Sequence, residues 1–467
     1  MPDPISWYAL GRVINDPQTI MEAIDEKFLA HNQDLGAHGF SNEAVWAHRN
    51  QYQLDHVNYS IYNVKINPAS RPVKAFVDVG GAAEYSNIQE AIDYVNSLGG
   101  GRIVIKSGIY NLTVNPTLYS NITLEGENAA STIIRFSGAG VYPGKGIKAI
   151  GDSSPYSTGT VSIPINSKIV TGIGTLWLAN VSAGDYISLD NVWYEIESVN
   201  SDTQLTLSNI FLSTALSSVV YEVATFKKDI VIQDLTIEGV DGKIFNEMKY
   251  ITRGTFRNIN GGKAYATDVA LRNCSDSKIE DCDLIQESMG SSSNCHIFQN
   301  NANYPLGVII DGCRDSTLSL NVVTASDNRG IVIRECKRFV VFASFTSSYN
   351  WESIQVLDSS QITVIYNTLI SQGPSNTPTV IFDNSHYSIL SGNTIRKSWS
   401  HGISFIQSCF NRLLGNSTFD SGGYGIRFDT NSHYNIVSGH SSVEDYSGFI
   451  QDLGVGNVHG VDNLVVP

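Results

Sequence analysis

Hydrophobic and polar positions in the second half of the chain repeat with a fixed period. A small or turn-forming residue is followed by apolar residues at the first and third places: Val308 and Ile310 after Gly307, Ile331 and Ile333 after Gly330, Ile354 and Val356 after Ser353. Val380 and Phe382 after Thr379, Ile403 and Phe405 after Gly402, and Ile426 and Phe428 after Gly425 continue it, and Gly448 leads a seventh unit. By subtraction, the leads lie 23, 23, 26, 23, 23 and 23 residues apart. Alternation with period two predicts a strand with one face inward, and its recurrence at a solenoid period predicts parallel strands stacked about 4.8 Å apart.

A second column lies fourteen residues after each lead: Asn321, Asn367, Asn393 and Asn416, with Ser344 and Gly439 in line. Asparagine tolerates a left-handed turn and stacks amide on amide, so an internal asparagine ladder is expected, with Asp234 and Asp283 as its earlier members. Cys313 and Cys336 share a third column, which Cys274 joins if Asp268 leads its coil. Parallel Cβ vectors do not suit a disulfide, so stacked, reduced thiols are expected.

Upstream, the text divides into further parts. Residues 1–72 are polar and helix-leaning, with Ile20, Ile24, Phe28 and Leu29 at helical spacing, and read as a cap or as an attachment and trimer-seeding arm. In residues 73–157, Ser86 is placed to cap a helix with the apolar face Ile88, Ala91, Ile92, Val95 and Leu98, stopped by Gly99 to Gly101. Short β-runs follow: RIVIK, IYNLTV, NITLEG. Residues 158–225 break the pattern with alternating strands and tight turns and predict a small inserted β-barrel-like module. Its Trp177, Tyr186, Trp193 and Tyr194 are expected to fill its core. Residues 226–467 form the main repeat.

The IQEAID helix, the GGGRIVIKSGIY strand and the SNITLEGE turn resemble the N-terminal cap and first coils of the pectate-lyase-like superfamily, which includes many phage tailspikes. The resemblance covers roughly residues 75 to 140 by motif and 226 to 467 by repeat. It implies an all-β, right-handed single-stranded parallel β-helix of about 23 residues per coil, with a short N-terminal helical segment and an inserted small β domain. Tailspike resemblance further implies a homotrimer, and attachment to a phage tail or baseplate protein through the N-terminal segment.

Composition narrows the function. A formal net charge of −15 without a Lys/Arg run is repelled by a phosphate backbone, which excludes nucleic acid as a partner. No run approaches the roughly 20 apolar residues that span a bilayer, and the first residues lack the charged and apolar regions of a secretory signal. No membrane insertion is expected. Six cysteines without CxxC pairs and histidines without HxH or HExxH spacing predict no metal site, and no nucleotide or nucleophilic-serine motif occurs in context, so no cofactor is expected.

Cleaving a glycosidic bond requires two carboxyl groups about 5 to 9.5 Å apart. Four residues after the lead, the outward column runs Asp311, Arg334, Leu357, Asp383, Ile406, Asp429, Asp452; the next runs Gly312, Glu335, Asp358, Asn384, Gln407, Thr430. Glu335 and Asp358 therefore neighbour each other, flanked by Asp311, Arg334 and Asp383, and are the candidate catalytic pair. Tyr349, Trp351 and Glu352 in the turn before Ser353, with Trp399, His401 and Tyr424 in later turns, are candidate substrate-binding residues, since sugar faces stack on exposed aromatics.

Taken with the resemblance, these residues point to a tailspike-like receptor-binding protein of the virion tail, or an extracellular one. It would bind and hydrolyse a bacterial surface polysaccharide, capsule or O-antigen, as a polysaccharide depolymerase. A non-catalytic structural or adhesive spike and a uronic-acid lyase or epimerase are the alternatives.

Overall fold

The computed structural model describes residues 73–137, 144–152, 154–240, 244–261, 267–325, 329–349, 351–371, 377–460 and 464–466. The helical arm expected over residues 1–72 lies outside them.

The described chain is a right-handed parallel β-solenoid of about 14 turns with about 23 residues per coil. Each regular coil contributes one strand to each of three parallel sheets. Sheet A contains the strands after the leads, such as Ile331–Arg334, Ile354–Leu357, Val380–Asp383 and Ile403–Ile406. Sheet B contains Lys337–Phe342, Ser360–Ile365, Ile389–Ser391 and Arg412–Leu414. Sheet C contains Phe345–Ser348, Thr368–Ser371, Thr394–Arg396 and Ser417–Phe419. Ile331 pairs with Ile354, Ile354 with Val380, and Val380 with Ile403, so the alternating apolar residues stack coil on coil. Phe382, Phe405 and Phe428 are fully buried, with ring centroids 5.2 and 5.1 Å apart.

The asparagine ladder is internal, but the left-handed conformation falls one residue earlier, on Leu320, Tyr366, Gly392 and Gly415. Each asparagine then turns inward. Asn367 Nδ2 donates to Asn393 Oδ1 (3.0 Å) and Asn393 Nδ2 to Asn416 Oδ1 (2.8 Å), while backbone carbonyls of the preceding coil accept further amide protons. The first rungs are Cys282 and Asn300, because Asp234 and Asp281 take the left-handed turn and Asp283 points to solvent. At the last coil His440, not Gly439, fills the column. The turn at residues 429–432 holds one extra residue, which also pairs Ile426 with Ile450 and Phe428 with Asp452.

A second ladder, Asn411, Asn435 and Asn457, runs parallel between sheets A and B. Beside it Cys336, Ser359, Ser385, Ser408 and Ser432 pass hydrogen bonds from coil to coil, with Cys313 donating its N–H to Cys336 Sγ (3.3 Å). All six cysteines are free thiols, five of them buried.

The solenoid opens with Val73–Val77 and a helix, Ile88–Ser97. The helix is capped by Asn87 rather than Ser86, its side chain accepting from the N–H groups of Gln89 and Glu90. Ile88, Ala91, Ile92 and Val95 close the end of the core, whereas Leu98 lies exposed at the C-cap.

After Lys148–Ile150 the chain leaves sheet A and forms seven antiparallel strands between residues 160 and 224, around a core that includes Trp177, Ile187, Leu205 and Phe211. It folds back onto the corner between sheets A and B. Tyr186 and Trp193 pack with Phe226 and Tyr250 there, and Trp193 Nε1 donates to the Ser291 carbonyl (3.0 Å). Asp190 reaches Lys337 (3.4 Å) and Arg314 (3.9 Å). The corner is thus occupied from Tyr250 to Lys337, and further coils are left open.

Candidate functional site

The outward face of sheet A has two unlike edges. At its C-terminal edge Asp311, Arg334, Leu357, Asp383 and Ile406 pair in sequence from coil to coil. The residues after them, Glu335, Asp358, Asn384 and Gln407, all adopt left-handed φ values between 47 and 53°, which turns their side chains to solvent. For Asp and Asn this conformation costs little, because the short polar side chain bonds locally. Asn384 Nδ2 donates to Asp358 Oδ1 at 2.7 Å and fixes that carboxylate beside Asp383.

Asp383 is the perturbed acid of this edge. Partial burial, then the charges of Asp358 and Asp429, raise its carboxyl above the ordinary value. Asp429 is committed to its turn: one carboxylate oxygen accepts from the N–H groups of Gln407 (3.1 Å) and Asn431 (3.2 Å) and from the Ser432 hydroxyl (2.6 Å). Glu335 stands one coil from Asp358, exposed, its backbone carbonyl accepting from Arg314 (2.6 Å). Arg334 is exposed and has no ion pair among the described residues. Asp311 lies three coils from Asp383, about 14 Å by strand spacing, and stands apart from the cluster.

The aromatic residues line the opposite, N-terminal edge. Strand Ile354–Leu357 separates Trp351 from Asp358, roughly 13 Å for its four residues of extended chain, so the acids and the aromatics flank the face without touching. Tyr349 and Trp399 are more than half exposed, at 54% and 56%. Trp351 carries the Arg329 guanidinium over its ring, 4.9 Å from the centroid. Glu352 does not face outward: it is buried and holds Arg329 at 3.0 Å, so it positions Trp351 indirectly. His401 is half-buried and stacks on Tyr424 at 5.9 Å; its Nδ1 accepts from the Tyr424 N–H (3.0 Å). Burial, then the Arg427 charge, hold its pKa down to about 4.

Between the edges lie Val332, Gln355, Ile381, Ser404 and Arg427. Gln355 and Ser404 are buried although they face away from the core. The two-residue alternation marks these floor positions but not their burial. Asn384, which orients Asp358, stood in the outward column but resembles any turn asparagine. Among the described residues no group of three or more His, Cys, Asp or Glu is arranged to hold a metal ion. The face offers a carboxyl of raised pKa, a second carboxylate beside it, and flat apolar rings across a strip one strand wide.

A family model described as a right handed beta helix region matches residues 306–464. Among solved structures, the chain is similar to the A-module of the mannuronan C-5 epimerase AlgE6 of Azotobacter vinelandii, at 14% identity and a TM-score of 0.50, over 81% of this chain and 94% of that one. It is also similar to the catalytic unit of a GH87 α-1,3-glucanase from Streptomyces thermodiastaticus, at 13% identity and a TM-score of 0.54, over 83% and 68%. The gp54 tailspike of Acinetobacter baumannii bacteriophage AP22, in complex with A. baumannii capsular saccharide, aligns over 81% and 76% at 12% identity and a TM-score of 0.41. No curated protein matches the sequence. These likenesses show the fold alone, a right-handed parallel β-helix.

Proposed function

We propose that this right-handed β-helix binds a bacterial surface polysaccharide along the outward face of sheet A and hydrolyses it at the edge formed by Asp358 and Asp383. The observation that carries this reading is the raised pKa of Asp383 beside a second carboxylate that Asn384 holds in place. Asp383 acts as the general acid on the leaving oxygen and Asp358 as its partner, with Glu335 and Arg334 bordering the site. Tyr349, Trp351, Trp399 and Tyr424 on the far edge supply apolar surface for sugar rings. Two proteins of similar fold, a mannuronan epimerase and an α-1,3-glucanase, are named for polysaccharide substrates, which supports the substrate class.

The sequence resemblance to tailspikes supports a role as a receptor-binding protein of a virion tail. It extends to a homotrimer joined to a tail or baseplate protein through residues 1–72, with an extracellular location as the alternative. The test is incubation with capsule or lipopolysaccharide from candidate hosts, followed by mass analysis of soluble products. Defined oligosaccharides are expected, and binding without any product reduces the protein to an adhesive spike. A second reading has its own observation: on the same face, in earlier coils, Lys148 and Arg272 flank Glu247 at 3.8 and 3.6 Å, cations suited to a uronate carboxylate. A 4,5-unsaturated product would favour that lyase chemistry.

A further inference from the structure

The same coils present a second surface on sheet B, and its chemistry changes along the solenoid. In the early coils its outward columns are ionic: Glu125 accepts from Gln233 (3.2 Å), and Glu280 binds Arg257 and Lys278. In the later coils those columns lose their acids, and apolar residues alternate with Thr363, Ser391, Arg412 and Ser438. Phe342, Ile389, Leu414, Ile436 and Val458 stand outward and exposed, and Tyr366 lies at the edge, 64% exposed, its ring flat over Gly392. At the corner towards sheet A, beyond the last contact of the inserted module, Tyr387, Phe410 and Tyr434 form an exposed stack with centroids 5.1 and 5.3 Å apart. Their faces cover one another, so the stack presents ring edges, which suits packing against a surface better than holding a sugar.

We infer that the outward face of sheet B, from Phe342 to Val458, is the surface on which a second copy of this chain packs. Three observations favour a copy over any other partner. With the adjoining Tyr387–Phe410–Tyr434 stack, these side chains expose roughly 800 Å² of surface, beyond the few hundred of the largest patch on an ordinary monomer and about one side of a standard interface. Each coil brings an apolar residue to this face in one column or the other (Phe342, Ile365, Ile389, Leu414, Ile436, Val458) over about 24 Å, a spacing that another solenoid of equal rise matches coil for coil. In a chain of net charge −15, the sheet B strands from Lys337 to His459 contain no Asp or Glu, so two acidic molecules repel least when they meet here.

This deepens the self-association in the reading above and is independent of its glycan chemistry. The test is the mass of the full chain in solution by sedimentation velocity and light scattering at micromolar concentration. A whole multiple of 50.9 kDa is expected, falling to 50.9 kDa in a Phe342→Glu/Tyr366→Glu double variant whose circular dichroism is unchanged. Leu414→Ser, a milder change, is expected to weaken association at least tenfold and serves if the double variant does not fold. Trp399→Ala, on sheet A, leaves the mass unaltered. A wild-type chain that remains at 50.9 kDa, or an assembly that survives both sheet B variants, overturns the inference. A monomer that binds polysaccharide overturns this inference alone; an assembly that binds none overturns only the glycan reading.

Discussion

Sheets A and B of the later coils share a backbone register, a core and the hydrogen-bonded ladders between them, yet their outward faces differ in kind. Sheet A is edged by Asp358 and Asp383 on one side and by Trp351 and Trp399 on the other. Sheet B shows Phe342, Ile389, Leu414 and Ile436 without an acidic residue. Inward positions have no such freedom, because each must match the residue one coil above and below. A solenoid therefore confines its differences to the outward half of each strand and to its corners, and two faces on the same coils can serve separate tasks.

The strongest way to break the comparison is to remove the acid from one face only. Asp383→Asn or Asp358→Asn is expected to lower the cleavage rate by 10²- to 10⁴-fold, the usual worth of a positioned acid or base, while binding and assembly persist. Because the Asp383 carboxyl is raised in the folded chain, its charged form is disfavoured and its cost to stability grows as pH rises through that pKa. Asp383→Asn should thus melt no earlier than the wild type at neutral pH. Cleavage that survives both variants would transfer the chemistry elsewhere.

Removing a rung of the ladder between sheets B and C, inside the core that both faces share, should impair both together. Asn393→Leu deprives the N–H of Asn367 and the Val364 carbonyl of buried partners, while Asn367 Nδ2 keeps the Val341 and Ile365 carbonyls. At 1–3 kcal/mol for each of the two unmet buried groups, a loss of about 2–5 kcal/mol is expected, read as a lower urea midpoint. Acid acts on the same framework more gently. Burial holds His440 at about 4 against an ordinary 6.5. Above 6.5 the imidazole is neutral folded or unfolded, and the stability it permits is fully present. As pH falls from 6.5 towards 4 the unfolded chain takes up a proton that the folded one refuses, so stability declines by at most about 3 kcal/mol and then levels off. Urea midpoints at pH 7 and 4.5 should differ in that sense, and His440→Gln should reduce the difference. His296 and His401, held down to about 4 by burial, add to the slope that remains.

The stack itself was legible because inward positions obey one rule: Ile331, Ile354, Val380 and Ile403 repeat in the text as they repeat in space. The ladder was legible in its asparagines but not in its conformation. Tyr366 adopts the left-handed turn that its neighbour Asn367 was expected to take, since position within the coil overrides residue preference. The last coil slipped by one because a single extra residue near Asp429 is absorbed in a turn and leaves no mark on the apolar spacing. The outward columns were readable as lists, so Asp383 and Asp358 could be placed side by side. The distance to Trp351 was not, because counting seven residues says nothing of a strand lying flat between them. Sheet B's outward face was not singled out because Ile389 and Ile436 are ordinary strand residues until their exposure is known. Exposure depends on where the inserted module stops, a contact between residues more than a hundred positions apart.

The finest test separates two tryptophans on one edge. Trp399 is 56% exposed, and Trp399→Ala is expected to weaken polysaccharide binding about tenfold, near 1.4 kcal/mol, with little change in melting temperature. Trp351 already spends one ring face on Arg329, whose guanidinium is held in turn by the buried Glu352. Trp351→Ala should therefore lose less binding but some stability, about 0.5–1 kcal/mol from the cation–π contact, and Glu352→Gln should copy the stability loss with the ring still present. Affinity and thermal melts on the three variants decide it. If Glu352→Gln costs binding as heavily as Trp399→Ala, then Glu352 contacts the sugar directly and the aromatic edge extends deeper than its exposed rings.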